Sequence, residues 1–407
     1  MANQAGKGPK AEYVITGLFQ NQGYLTRRSI PLYYGNKNQD ATDVDVLGIL
    51  FTQPFQMHRV ICDCKNKQKS KPYERIFWVK GLASFIEADD TYVSLPQASW
   101  DTIKFAQDGG VRVLTADVIN EYFSNNSNSY GVADSNFYME FFGKFNTESK
   151  KNKPLNKSIS TLKRLYLNED PYVSINICME VLNDASKQLK ISKESNLLDE
   201  NTFWKYICCE AMVLISINIL NICADTLCLP LKARREHILS KLTYGDIEPN
   251  RMNTILTYAK NVANQIIKES VPKNLIPKVD LVDFGDILPP NYSNNIIGIV
   301  ERAIKNPQWY VSLPQVLDFI LFEFAMKNKE FSLEKFKLFF NSGENEGKLK
   351  VAKNILTLAK NTCNLDLKLL WGTSDGFISN NNEKLESSID SGEEKNEQLD
   401  ISSINKD

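Results

Sequence analysis

The sequence predicts an α/β N-terminal domain, a central mixed sheet flanked by helices, followed by a mostly α-helical C-terminal region. Three observations predict it. Up to residue 125, β-branched and apolar runs bounded by turn-prone residues alternate with segments of helical periodicity. Beyond the polar stretch "SNNSNSYGVADSN" the pattern from 155 to 377 is helical almost throughout. The chain has 407 residues, and single cores usually stop growing near roughly 250 to 300, so a second core is expected.

The elements follow in order. "AEYVITGLFQNQGYL" sets Val14, Leu18 and Phe19 at helical spacing and stops at Gly23. "SIPLYYG", "TDVDVLGILFT" and "HRVICDC" read as consecutive strands, parted by "NKNQDA" and "QPFQM". Helical periodicity returns in "YERIFWVKGLASFIEA", residues 73 to 88. A strand "TYVSL", a helix "SWDTIKFAQDG", a strand "VRVLT" and a helix "ADVINEYF" complete the order α-β-β-β-α-β-α-β-α. This divides the chain into a domain over 1–125, a linker over 126–154 and a helical domain over 155–377. The tail 378–407 is acidic, polar and free of aromatic residues, a composition that favours disorder.

Composition narrows the functional classes. Hydrophobic residues at 43% and charged residues at 24% are ordinary for a soluble chain. A formal net charge of -1 gives no global attraction for nucleic acid, so such a partner needs a local basic patch. The start "MANQAGKGPKAEYV" lacks the apolar run of a secretory signal, which predicts a cytoplasmic protein. The apolar stretch 207–231 is interrupted by Glu210, Asn218, Asn221 and Asp225, so it reads as a core helix and predicts no membrane partner. The eight cysteines lie in apolar patterns without zinc spacing, and only His58 and His237 are present. Zinc chemistry and a Cys/His nucleophile are therefore disfavoured. No G-x-x-x-x-G-K-[ST] loop occurs, so a nucleotide motor would have to come from another subunit. "LKARREHILSK", with Lys232, Arg234, Arg235 and Lys241, reads as a solvated helix face or a second basic contact.

The chemistry is concentrated in "ATDVDVLGIL" and "HRVICDCKNKQKSK". Strand alternation puts Asp43 and Asp45 on one face, and puts Asp63 with Lys65 on the face opposite Cys62 and Cys64. A hairpin turning at Pro54 pairs residues whose numbers sum to about 108, which sets Asp45 against Asp63. Opposed carboxylates repel unless a cation lies between them. Hard Mg²⁺, with Mn²⁺ as a substitute, suits carboxylate oxygens, water and a substrate phosphate. Lys65 is placed to position or deprotonate a water or to hold the phosphate, and Glu12 on the first helix to complete the metal shell. An ordinary ion pair on a solvated strand face is the competing reading of Asp63 and Lys65. Lys67, Lys69, Lys71, Arg75 and Lys80, with Arg27 and Arg28, supply the local basic patch, whose phosphate contacts would weaken with salt.

These residues resemble the PD-(D/E)xK nuclease superfamily, the restriction-endonuclease-like enzymes that include type IV restriction and junction-resolvase branches. The resemblance rests on the α-β-β-β-α-β order, Glu12, Asp45 in "DVDVLG", and Asp63 with Lys65 in "CDCK". It covers residues 8 to 125 and leaves the helical remainder aside. It implies Mg²⁺ on Asp45 and Asp63, Lys65 assisting phosphodiester hydrolysis and Glu12 as an accessory carboxylate. Val44 stands where the family motif has proline, and Lys80 stands where several branches carry glutamine.

The expected function is that of a Mg²⁺-dependent DNA endonuclease in restriction, anti-phage defence or repair. The helical region would serve recognition, regulation or oligomerisation, as a homodimer or beside a subunit supplying ATPase or sensor function. The alternative is a catalytically silent nucleic-acid or protein-binding module with a nuclease-like fold.

Overall fold

The computed structural model describes residues 7–34, 39–64, 71–125, 129–167, 170–270, 287–340 and 343–371. The expected disorder of the tail 378–407 falls outside them.

Helix α1 (Lys7–Asn21) leads into β1 (Leu25–Tyr34), β2 (Gln39–Thr52) and β3 (Gln56–Cys64), an antiparallel meander. Gly23 makes the exit from α1 at φ +91°, a left-handed conformation that glycine adopts without penalty. Helix α2 (Pro72–Phe85), β4 (Asp90–Leu95), α3 (Trp100–Asp108), β5 (Arg112–Thr115) and α4 (Ala116–Asn125) follow. β4 lies parallel to β3 and β5 parallel to β4, giving a five-stranded mixed sheet in the order β1-β2-β3-β4-β5. The element order is the one read from periodicity.

Alternation along the strands feeds two apolar layers. Val46, Val60, Cys62 and Cys64 pack with Ile15, Leu18 and Phe19 of α1, and Ile119 and Tyr122 of α4 lie against them. The other face, with Leu47, Ile49, Ile61 and Val93, meets Ile76 and Val79 of α2 and continues into the helical region.

That region contains α5 (Ser135–Ser149), α6 (Lys153–Leu165), α7 (Pro171–Glu194), α8 (Leu198–Thr226), α9 (Leu231–Tyr244) and α10 (Pro249–Ser270). It continues through α11 (Ser293–Lys305), α12 (Pro307–Tyr310), α13 (Leu313–Asp318), a π-helical turn (Phe319–Ala325), α14 (Leu333–Phe339), α15 (Asn345–Cys363) and α16 (Leu367–Trp371). α8 is apolar around its whole circumference, as a central helix must be. By length and composition it could span a bilayer, yet 89% of its most apolar stretch is buried inside the protein. None of the eight cysteines is bridged, and all but Cys228 are buried.

The predicted partition into separate cores and a linker does not hold. Tyr13, Leu25, Ile30 and Leu47 share one continuous core with residues of α7, α8, α13 and α15. Within the expected linker 126–154, Asp134 caps α5 by accepting hydrogen bonds from the N–H groups of Asn136 and Phe137. Tyr138, Phe141 and Phe145 of α5 are buried at helical spacing. Gly131, at φ +50°, approaches the π-helical turn so closely that a Cβ would meet Phe322 Cβ at 3.3 Å. Its N–H donates to Glu323 at 2.9 Å, and the Tyr138 hydroxyl donates to the Phe322 carbonyl at 2.6 Å. Lys327 and Lys335 both donate to Glu323, neutralising it. Turn-like composition concealed a segment whose buried aromatic spacing is helical.

Two basic groups also change role. Arg27, assigned to the basic patch, is buried on β1 and reaches into the helices. Its Nε donates to both Glu210 oxygens at 2.9 and 3.1 Å, and one terminal nitrogen lies 2.7 Å from Asp318 Oδ1. The Tyr166 hydroxyl donates to Glu210 at 2.8 Å, and the guanidinium lies 5.0 Å from the Phe322 ring centre. On α9, Arg234 donates to the carbonyls of Thr226 and Leu229 at the end of α8, and Arg235 pairs with Glu301 at 2.5 Å. Helix-end carbonyls and a carboxylate thus take the two arginines that were left open for a phosphate.

Breaking one side of a buried pair leaves an uncompensated charge, at a cost of about 3–5 kcal/mol. Arg27→Ala is expected to lose stability on that scale in urea unfolding. Burial pushes Asp318 up to about 6, against the opposing pull of Arg27 and with help from Glu210. The folded protein then holds a proton that the unfolded chain has released, between the ordinary aspartate range near pH ~4 and pH ~6. This contribution to stability is present at the acid end and is lost as pH rises through about 6. Asp318→Asn should flatten that slope in unfolding curves measured across the same interval.

Candidate active site

The β2–β3 ladder runs from Val46 opposite Cys62 to Thr52 opposite Gln56. That is the expected register; the ladder stops one pair short of Asp45 and Asp63, at the hairpin's open end beside the carboxyl end of β3. Cys64 pairs there with Ser94 of β4. Crevices outside the carboxyl ends of parallel strands are habitual ligand sites in α/β sheets.

Asp45 is half-buried, and its Oδ2 accepts the Cys64 backbone N–H at 2.7 Å. The side chain takes over where the backbone ladder stops, which fixes the carboxylate against β3. The Cys64 thiol is held well above its ordinary range by its hydrogen bond to Cys62, by burial, and by the negative charges of Asp45 and Glu12. Both carboxylates therefore lie within electrostatic reach of the same sulfur. Glu12 is half-buried on α1.

Asp63 points to the α2 side with its side chain 1% exposed. Arg75, on the first turns of α2, grips it with two nitrogens: Nε donates to Oδ2 at 2.9 Å and a terminal nitrogen to Oδ1. The Arg75 guanidinium also lies 4.5 Å from the Trp78 ring centre, a cation–π contact within α2. Two-pronged pairing of this kind is the strong form of a carboxylate contact. Arg75, expected on a phosphate, here supplies the cation that an aspartate at this place requires.

The other predicted residues separate. Lys65, Lys67 and Lys69 lie outside the described residues. Lys71 is exposed and donates to Glu74 at 2.6 Å, a surface pair one turn apart. Lys80 sits toward the opposite end of α2, its ammonium nitrogen 3.0 Å from the position a Cβ on Gly110 would take, just before β5. A helix that starts beside Asp63 and runs back along the sheet carries its ninth residue away from the site, so Lys80 does not join it. Arg28 stacks on Tyr13 of α1 at 3.4 Å from the ring centre, so only part of the expected patch is collected.

Sequence reasoning missed Lys10. It lines a cavity of about 200 Å³ with Val14, Leu95, Pro96, Ile119 and Asn120, between α1 and α4 at the end of β4. The alternation of "TYVSLP" signalled a strand end there, but not its closeness to α1.

Among the described residues, no three His, Cys, Asp or Glu side chains are grouped to hold a metal ion. Mg²⁺ seldom needs such a cage, because one or two carboxylates, water and a substrate phosphate usually complete its shell. The hard oxygens of Asp45 and Asp63 fit that mode, with Glu12 on the neighbouring helix. A divalent ion would have to compete with Arg75 for Asp63.

The chain matches no protein-family model, no curated protein and no solved structure.

Leaving the Cys64 N–H without an acceptor costs about 1–3 kcal/mol. Asp45→Asn retains an acceptor oxygen and should unfold close to wild type, whereas Asp45→Ala should be destabilised by about that amount. Equal losses in the two variants would show that the Asp45 carboxylate charge, rather than its hydrogen bond, fixes this strand end.

Proposed function

We propose that the chain is a metal-dependent nuclease acting on DNA, in restriction, anti-phage defence or repair within the cytoplasm. The observation that carries this reading is the β2–β3 register, Val46 opposite Cys62, whose continuation by one pair would set Asp45 opposite Asp63. The α-β-β-β-α-β order around it, with Glu12 on α1, supports it.

A hard divalent ion on Asp45 and Asp63 would stabilise charge on a phosphate oxygen and make a bound water more acidic. The protein's own residues set the conditions. The Cys64 N–H holds Asp45 in one orientation, and Arg75 holds Asp63. Were a divalent ion to take Asp63, the Arg75 guanidinium, stacked on Trp78, would be available to a phosphate. Lys65, two residues beyond Asp63, orients the attacking water or holds the phosphate. A water oxygen bonds to phosphorus as the opposite P–O bond breaks, the water gives up a proton, and the leaving oxygen gains one.

The two-pronged Arg75–Asp63 pair also favours a second reading. If Arg75 permanently serves as the site's cation, the chain is a binding module that retains the fold without turnover.

The test incubates wild type, Asp63→Asn and Lys65→Ala with supercoiled DNA, linear DNA and RNA, in Mg²⁺ or EDTA. Metal-dependent DNA cutting that falls by about 10²-fold or more in both folded variants is the expected result. Nucleic-acid binding without cutting of any substrate, unchanged by Mg²⁺, would favour the binding module.

A further inference from the structure

The outward side of α2 and α3 is aromatic where a surface helix is normally polar. Tyr73, Phe77 and Phe85 follow one another at multiples of four residues along α2, on one stripe. Phe105 of α3 meets both Tyr73 and Phe77 edge-on, at 4.9 and 5.5 Å between ring centres. Trp100 opens α3, and Trp78 borders the stripe. Phe77 is 68% exposed and Trp100 72%, so neither is a core residue. Inward residues of the same helices, Ile76, Val79 and Ala106, already cover the sheet.

With about 150–250 Å² per aromatic side chain, the exposed parts of these six rings amount to roughly 600 Å². That is at the upper limit of the largest apolar patch on an ordinary monomer, roughly 300–600 Å². A standard interface buries about 800 Å² per partner, somewhat over half of it apolar. The rings alone supply that apolar share.

Charge selects the occupant. Among the described residues, the exposed bases on and beside these two helices, Lys71, Lys80 and Lys104, are at least matched by the exposed acids Glu74, Glu87, Asp101 and Asp108. A phosphate backbone draws its affinity from unbalanced positive charge, which the described residues of this face do not offer. A mixed surface can instead satisfy itself across a two-fold axis, each base meeting an acid of the other copy while the rings meet at the centre. We infer that the α2–α3 face is the contact between two copies of this chain. The inference stands on the aromatic face and does not depend on nuclease activity.

Sedimentation equilibrium of the full chain across a wide concentration range tests it. Wild type should reach twice the 46.3 kDa chain mass. Phe77→Glu and Trp100→Glu should return it to a single chain mass with unchanged circular dichroism, and Leu338→Glu, on the exposed side of α14, should leave the dimer intact. A single-chain mass for wild type at every concentration overturns the inference, as does a dimer that persists in both ring variants. A monomer whose tryptophan emission is quenched by a single-stranded oligonucleotide would likewise overturn it, assigning the rings to base stacking.

Discussion

The architecture depends on a positive charge taken out of water. Arg27 lies on the edge strand of the sheet, and the groups that neutralise it, Glu210 and Asp318, come from helices far along the chain. A buried guanidinium without partners is prohibitively costly, and so is a carboxylate at the centre of the apolar helix α8. Each is tolerable only when the sheet and the helices are docked. Burial, with a smaller push from the neighbouring Glu210, raises the affinity of Asp318 for a proton although Arg27 opposes it. The pairing joins β1 to α8 and α13 at one point.

The same logic recurs on a smaller scale at the open end of the β2–β3 hairpin. Asp45 and Asp63 lie where backbone pairing ends, and each has a donor from a different source: a backbone N–H for one, the Arg75 fork for the other. Carboxylates anchored in this way keep their orientation without being permanently neutralised by a lysine of the same strand. The arrangement also accounts for the apolar opposite face, where Cys62 and Cys64 pack under α1 as inert thiols.

Much of this was legible in the sequence, for identifiable reasons. Period-two alternation and the turn at Pro54 indicated which residues of β2 and β3 oppose one another, Val46 against Cys62 among them. Helical spacing located α1 to α4 in the same way. Long-range charge pairing was not legible. Nothing local distinguishes Arg27, which is buried, from Arg28, which stacks on a tyrosine, or Arg75, which bends back to Asp63, from Lys80, which lies far from it. Composition misled at 126–154, where asparagine and serine advertise a loop but Asp134 and the following aromatics build a buried helix. Lys65 falls outside the described residues, so its part in the site still rests on its place in the sequence.

Helix α2 carries two kinds of contact on one rigid rod. Its first turns hold Asp63 through Arg75, Trp78 steadies that guanidinium, and the stripe from Tyr73 to Phe85 faces outward. A short helix moves as a body, so an event that tilts or slides it is felt at both places. A ligand on the outer rings that tilted α2 would also change the hold of Arg75 on Asp63, and a ligand that took Asp63 and shifted α2 would change the pose of the rings. Thermodynamic reciprocity requires the two effects to be equal in free energy. Arg75 is in that sense the gear tooth between the surface of the molecule and its carboxylates.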